Sequence, residues 1–200
     1  MDNMQLCLEL ANSDREEDAI RILKSINFWN DHSCWRYFGD LEDNFSPIGN
    51  QQSKPEAALV EKIVNSVDAV LMAECLERGI DPEGPNAPKS VTEALEKYFE
   101  IRNGRLPNLD VKARALLAEN ICLVATGAKS NPCYSIIDKG EGQTPDSMPK
   151  TLLNLFGSIK ARIPFVQGKF HMGGTGAFRF CGQHTGQYNL QLIISRRKPR

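Results

Sequence analysis

The sequence predicts an α+β fold. Three observations lead to this prediction: helix start and stop signals dominate the chain up to residue 120, the hydrophobic pattern then changes to the alternation typical of strands, and no internal repeat is visible. Of the 200 residues, 41% are hydrophobic and 24% are charged, which is ordinary for a globular protein with a sizeable core.

Residues 1–54 are predicted to form a short helix followed by an aromatic-rich extension. Ser13 and Glu16 have the spacing of a capping box, so we expect a helix to open there. Residues 44–55 are polar and turn-rich, which predicts a loop. Between them the chain is too dense in large aromatic side chains for a free linker, and we expect it to pack on the domain or on a partner: Phe28, Trp29, Trp35, Tyr37 and Phe38.

Three further helices are predicted before residue 121. The first covers 55–78, with a proline in its first turn and a glycine directly after its end. Ser90 and Glu93 form a second capping-box pattern, which predicts a helix that ends near residue 103. Asp110 is expected to cap the third helix.

The remainder of the chain is predicted to contain strands and glycine-bearing loops. Residues 121–126 and 133–137 have the pattern of two strands joined by a turn. The other elements predicted here are a loop over 140–145, a helix over 147–160, a glycine-rich stretch over 164–176 and a strand over 188–195.

Charge and composition argue against several classes of protein. The formal net charge is −1, so no overall field favours nucleic acid or an anionic membrane, and the basic residues at 196–200 are interpreted as a solvated tail. No apolar run approaches the ~18 residues that a membrane span needs. The first 18 residues are acidic and lack the basic-then-apolar order of a signal peptide, so a cytoplasmic protein is expected.

The cysteines are expected to be reduced thiols in that compartment. There are six, none in a C-x-x-C pair. His32 and Cys34 are close in sequence, but no second ligand pair with zinc spacing follows, so no structural zinc is expected.

The helix over 55–78 carries a polar stripe beside its apolar stripe. Glu61, Asn65 and Asp68 fall within about 60° of helix surface. The Asn65 amide oxygen could ligate Mg²⁺, and the carboxylate one turn earlier could polarise a water. On this segment alone a solvated helix edge is the simpler interpretation. The adjacent apolar stripe consists of Val60, Ile63, Val64, Val67 and Leu71.

Two glycine motifs follow the second predicted strand. Asp138 ends that strand, and Gly140 and Gly142 come directly after it. A carboxylate at that position can accept a hydrogen bond from an amine such as that of adenine, and the glycines permit close approach of backbone to a ligand. A plain strand-to-turn junction is the alternative. Further on, successive N–H groups of a glycine-rich segment could wrap phosphate oxygens: Gly168, Gly173, Gly174 and Gly176. The patterns of a P-loop and of a dinucleotide-binding fingerprint are both absent.

The order of these elements resembles the GHKL ATPases, the family that includes gyrase B, MutL, histidine kinases and the ninety-kilodalton heat-shock chaperone. The shared order is E-x-x-x-N-x-x-D-A on a helix, D-x-G-x-G after a strand, and a later G-x-G, together covering 56–195. The resemblance implies a two-layer α/β sandwich in which a mixed β-sheet carries the helices on one face, formed by residues 55–200. It also implies ATP and Mg²⁺ as ligands.

The family's functional residues are carried over position by position. Glu61 matches the general base that activates the attacking water, Asn65 matches the Mg²⁺ ligand, and Asp68 matches the acidic residue that helps to order the site. Asp138 matches the carboxylate that reads adenine. The glycines beneath base and ribose are matched by Gly140 and Gly142, and the phosphate-wrapping end of a mobile lid over 144–176 is matched by Gly173, Gly174 and Gly176.

The chain also departs from the family. Many members continue with further strands after the last glycine motif, one of which carries a Thr near adenine, whereas Arg200 follows soon after one predicted strand. We therefore expect either a fragment or a fold that closes differently. The lysine that a following transducer domain supplies in gyrase and MutL has no counterpart here.

Four functions remain open from the sequence. The first is a Mg²⁺-dependent ATPase whose lid closure drives dimerisation or clamps a partner, with a second copy of the chain or a downstream effector domain as the candidate partners. The second is a nucleotide-binding sensor or scaffold without turnover. A histidine kinase catalytic domain is the third, although the single upstream histidine, His32, lies in the aromatic stretch and not on a long dimerisation helix. The fourth is a protein-interaction domain without nucleotide.

Overall fold

The fold is α+β. The computed structural model describes residues 1–44, 53–155, 159–168, 175–182, 188 and 190–197. In these residues, five α-helices accompany one two-stranded antiparallel sheet. The elements are α1 (Asn3–Ala11), α2 (Glu16–Ser25), α3 (Pro55–Glu77), α4 (Val91–Phe99), α5 (Val111–Ala118), β1 (Ile121–Ala128) and β2 (Asn131–Asp138).

The two N-terminal helices differ from the prediction. The sequence analysis did not identify α1, whose N-terminus is capped by Asp2. The capping box assigned to Ser13 is wrong: its hydroxyl donates instead to the carbonyl of Glu9, at 3.1 Å. The N-cap of α2 is Arg15, which makes no side-chain capping bond. A carbonyl without a helical partner at the end of α1 thus binds the Ser13 hydroxyl, which the sequence pattern predicted would cap α2.

The next three helices begin where their caps predicted. Helix α3 starts at a proline and ends before Gly79, which has a φ of 68°. Ser90 accepts a hydrogen bond from the backbone N–H of Glu93, and Asp110 caps α5 through the N–H of Ala113. Helix α4 ends earlier than predicted, because Glu100 takes a left-handed conformation and its N–H bonds back to the helix.

The main hydrophobic cluster is built from the second half of α3, the loop after it, α4 and residues 163–166. Its members are Leu71, Met72, Cys75, Ala87, Ala94, Tyr98, Ile163, Phe165 and Val166. The rings of Tyr98 and Phe165 meet edge to face with centroids 6.3 Å apart. Part of the segment predicted as a glycine-rich loop therefore contributes to the core.

Strands β1 and β2 form a hairpin whose open end lies at α3. The register runs from Ile121 opposite Asp138 to Ala128 opposite Asn131. Both predicted strands are confirmed and are longer than expected, so only two residues remain between them. Helix α3 contacts both strands. This packing places the end of β2, and Asp138 with it, beside the polar part of α3.

The helix predicted over 147–160 is wrong in the described residues. Only short 3₁₀ turns occur, at Met148–Lys150 and Ile159–Arg162, and residues 156–158 lie outside the described part. Hydroxyl groups explain the difference, since Ser147 and Thr151 both bond to the side-chain oxygen of Gln143 and to local backbone. Such local bonds compete with a helix ladder.

The strand predicted over 188–195 is also wrong for the residues described there. Position 188 and positions 190–195 have no regular secondary structure. The backbone N–H of Tyr188 donates to the side chain of Glu16, and the side-chain hydroxyl of Ser195 accepts from the N–H of Gln143. Alternation of side chains is not sufficient for a strand, because a strand also needs a neighbouring edge that accepts its backbone bonds.

The aromatic extension packs on later parts of the chain. Trp29 contacts Tyr188 edge to face, with ring centroids 5.2 Å apart, and it also contacts Trp35. Phe38 and Phe178 form a looser pair at 6.5 Å.

A domain boundary near residue 54 remains a prediction. Among the helices that the structure describes, none combines the length and the apolar character required to cross a bilayer.

Candidate functional site

Side chains in the polar part of α3 are more deeply buried than we expected from the position of the apolar stripe. Asp68 is fully buried and Ser66 is 4% exposed, whereas Val60 of the expected apolar stripe is 55% exposed. Asn65 and Glu61 are partly buried. The orientation of α3 follows from its second half, where apolar side chains enter the core, and from the polar partners that other segments supply to residues 66–69.

Asp138 is held at the end of β2 by two donors. The hydroxyl of Ser66 donates to Oδ2 at 2.9 Å, and the backbone N–H of Gly140 donates to Oδ1 at 3.0 Å. The carboxylate is otherwise exposed. Since each carboxylate oxygen has two lone pairs, both can accept a further hydrogen bond from a ligand. The arrangement fixes an acceptor in place beside α3.

Gly140 and Gly142 are required by contacts within the chain. A Cβ on Gly140 would overlap the side chain of Ala69 on α3, and the next N–H, of Glu141, donates to the Ala69 carbonyl at 3.0 Å. Gly142 has a φ of 66° and lies against the carbonyl of Arg196. The sequence analysis assigned both glycines to ligand approach and did not include this packing role.

Asp68 connects α3 to residues 160–168. Its Oδ1 accepts from the N–H of Gln167 at 2.9 Å, and its Oδ2 accepts from the N–H of Gly168 at 2.8 Å. The ammonium group of Lys160 lies 3.8 Å from Oδ2. A buried carboxylate is tolerated when it is paired and hydrogen bonded in this way. Asp68 therefore fixes the start of the glycine-rich segment on the helix.

Asn65 lies directly against Gly168. A Cβ built on Gly168 would be 2.5 Å from the Asn65 side-chain oxygen and 3.1 Å from Oδ2 of Asp68. A side chain at 168 would fit only if the Asn65 carboxamide shifted. Gly168 and the residues that follow β2 thus both contact α3. Their contact positions on the helix lie within one turn of each other.

Lys62 is a partly buried cation on α3 that was not predicted as a site residue. Burial lowers its pKa from 10.5 to about 8, and this effect outweighs the opposite influence of Cys181. Burial also raises the pKa of the Cys181 thiol. Lys62 of α3 and Cys181 therefore lie close enough to influence each other's pKa.

The structure brings together four of the predicted site residues: Asn65, Asp68, Asp138 and Gly140. Glu61 lies one turn before Asn65 on α3. Gly176 is buried in a turn beside Thr175. Gly173 and Gly174 lie outside the described residues, so the predicted phosphate-wrapping glycines are not placed.

Three further residues of this cluster were missed or underused in the sequence analysis. Ser66 carried a signal, because a hydroxyl beside Asn65 on the inner side of a helix requires an acceptor. Gly168 was included only as one of several glycines. Lys160 had no local signal, since its contact with Asp68 joins positions far apart in the chain.

Two grooves lie away from this cluster. One, of about 580 Å³, lies between α1 and α2, and its lining includes Glu9, Asp14 and Asp18. The other, of about 300 Å³, is lined mainly by apolar residues of α4 and α5. In the described part of the chain, no three His, Cys, Asp or Glu side chains are grouped so as to hold a metal ion.

Comparisons with known proteins found no match for this chain among protein-family models, curated proteins or solved structures.

Proposed function

We propose that this chain is a Mg²⁺-dependent ATP-binding domain of the GHKL type and that it hydrolyses ATP. The observation that supports this proposal best is the convergence of separate motifs on α3. Asp138 is bonded to Ser66, Gly140 packs on Ala69, and Gly168 lies against Asn65. Of these residues, Asn65, Ala69, Asp138 and Gly140 belong to the motifs in which the chain resembles that family.

The finer architecture belongs to the same proposal. Residues 55–200 would form a two-layer sandwich with helices on one face of a mixed sheet. The contact of α3 with both β1 and β2 supports this arrangement. The described strands supply an antiparallel pair, and a mixed sheet would need further strands beside it.

Adenine recognition is assigned to Asp138. Its carboxylate is exposed, yet the Ser66 hydroxyl and the Gly140 N–H restrict its orientation. An adenine amine would donate to it, whereas guanine presents a carbonyl oxygen at the equivalent position, acceptor against acceptor. A buried polar group without a partner costs about 1–3 kcal/mol, which is sufficient for discrimination between the two bases.

The polar edge of α3 is assigned to the triphosphate and its metal. The Asn65 amide oxygen is a suitable Mg²⁺ ligand, and Lys160 brings a positive charge close to the same edge. Mg²⁺, when bound, would neutralise phosphate charge. Glu61, one helical turn before Asn65, would accept a proton from the attacking water.

Nucleotide titration tests the binding part of this proposal. We expect the wild type to prefer ATP to GTP, and Mg²⁺ to increase its affinity for ATP. Asp138→Asn should lose the preference, because an amide presents a donor as well as an acceptor. Ser66→Ala should weaken ATP binding less, since Gly140 still holds the carboxylate. Equal affinity of the wild type for ATP and GTP would exclude Asp138 as the base-reading residue.

Turnover tests the catalytic part. Glu61→Gln should bind ATP like the wild type and hydrolyse it about 10²–10⁴-fold more slowly. Equal rates for the two proteins would remove Glu61 from the mechanism. If the wild type binds ATP with Mg²⁺ and does not hydrolyse it, the chain is a nucleotide-binding sensor or scaffold instead of an ATPase.

A further inference from the structure

Gly168 is a glycine for reasons of space. Its φ lies outside the left-handed region, so its backbone conformation is open to any residue. What excludes a side chain is the Asn65 oxygen, 2.5 Å from the position that a Cβ would take. Any larger residue would have to displace either the Asn65 carboxamide or the segment that carries position 168.

The segment at position 168 cannot move away easily. Both oxygens of the buried Asp68 carboxylate accept backbone N–H groups from it, at 2.9 Å from Gln167 and 2.8 Å from Gly168. Just before these residues, Phe165 and Val166 are fixed in the hydrophobic core. A side chain at 168 would therefore displace the Asn65 carboxamide, which is the end of a flexible side chain, while position 168 is held through its backbone.

We propose that Gly168 is a positioning residue for Asn65. The pair of hydrogen bonds to Asp68 seats the chain on α3, and the missing side chain at 168 leaves the Asn65 carboxamide in the position from which its oxygen can reach a metal–triphosphate ligand. This inference rests on the proposed function for the identity of that ligand. The steric coupling between positions 65 and 168 stands independently of it.

A double-mutant cycle in thermal unfolding tests the coupling without any nucleotide. Gly168→Ala should lower the unfolding temperature, and adding Asn65→Ala should recover part of the loss, because a shorter side chain at 65 makes room for the new methyl group. Gly84→Ala is the matched control, since its Cβ would meet Asp81 and not α3. Its effect should add to that of Asn65→Ala. Additive effects for positions 65 and 168 would overturn the inference.

Mg²⁺-dependent ATP binding tests the positioning role. Mg²⁺ should increase the ATP affinity of Gly168→Ala roughly tenfold less than it increases that of the wild type. This is the size of one lost interaction with a charged group, and Asn65→Ala should show the same loss. Affinity measured in EDTA should stay close to that of the wild type. A Gly168→Ala protein with a normal Mg²⁺ effect would overturn the positioning role even if the cycle is non-additive. If Mg²⁺ does not change the ATP affinity of the wild type, the ligand assignment is overturned. The steric coupling between positions 65 and 168 is then judged by the unfolding cycle alone.

Discussion

At the scale of single residues, the middle of α3 is organised by buried and partly buried polar and charged side chains. Asp68 is compensated by two N–H groups and by Lys160, all from residues 160–168. For Lys62, burial dominates and lowers the pKa to about 8. The helix thus carries a paired carboxylate at Asp68 and, at Lys62, a cation whose charged form is disfavoured by burial.

Replacing Lys62 by Met should stabilise the protein at neutral pH. Because the folded-state pKa is about 8 and the ordinary value is 10.5, the unfolded chain binds more protons between these values. The stability of the wild type should therefore rise with pH across that window. The advantage of Lys62→Met should be about 1–3 kcal/mol below the folded pKa and should decline above it.

Urea unfolding at several pH values from neutral to alkaline measures this difference. Lys112→Met serves as the control, because Lys112 is exposed on α5. Its difference from the wild type should show little change with pH. An advantage of Lys62→Met that stays constant, or grows, towards alkaline pH would contradict the buried-lysine explanation.

At the scale of elements, helix ends depend on which acceptor a hydroxyl reaches. Ser90 and Ser13 have the same sequence pattern, with a glutamate three residues later. Ser90 caps α4, and Glu93 accepts from the N–H of Lys89, the residue before the cap, at 2.8 Å. Ser13 bonds back to α1 instead. The same pattern is therefore a helix N-cap in one place and a helix C-terminal contact in the other.

The two serines should respond differently to alanine. Ser90→Ala should cost about 1 kcal/mol of unfolding free energy, since it removes a capping bond from α4. Ser13→Ala should cost less than about 0.5 kcal/mol, because its hydroxyl reaches only one carbonyl at a helix end that water can also satisfy. Chemical denaturation of both variants measures the comparison. Equal costs would show that Ser13 contributes as a cap in solution.

At the scale of the whole molecule, the proposed lid is divided by the hydrophobic core. The resemblance implied a mobile lid over residues 144–176. Ile163, Phe165 and Val166 are buried between α3 and α4, and Asp68 holds the two residues that follow. Any closure over a nucleotide would therefore have to involve the flanking parts of that segment.

Hydrogen exchange distinguishes a continuous lid from a divided one. We expect the amides of Ile163, Gln167 and Gly168 to exchange slowly without nucleotide, because each is hydrogen bonded next to the core. Slowing on addition of ATP should be confined to the rest of 144–176. Fast exchange at 163–168 that ATP suppresses would restore the single mobile lid.

The sequence by itself determined the features that depend on neighbours along the chain. The caps at Ser90 and Asp110 and the glycine after α3 act within a few residues, so their patterns could be recognised directly. The two alternating segments of the hairpin were also recognisable, and with the helices they predicted the α+β class. Local patterns failed in the described parts of 147–160 and 188–195, where Ser147 bonds to Gln143 and the N–H of Tyr188 donates to Glu16.

Only the tertiary structure decided how the candidate site is assembled. Ser66 meets Asp138 across 72 positions, and Asp68 meets Gln167 and Gly168 across 99 and 100. No pattern in a short window contains such a pair. Which acceptor a buried donor reaches depends on how α3 packs against the hairpin and the core, and that packing is a property of the whole chain. The motifs therefore named Asn65, Asp68 and Asp138, while their hydrogen bonds and the steric role of Gly168 came from the packing of distant segments.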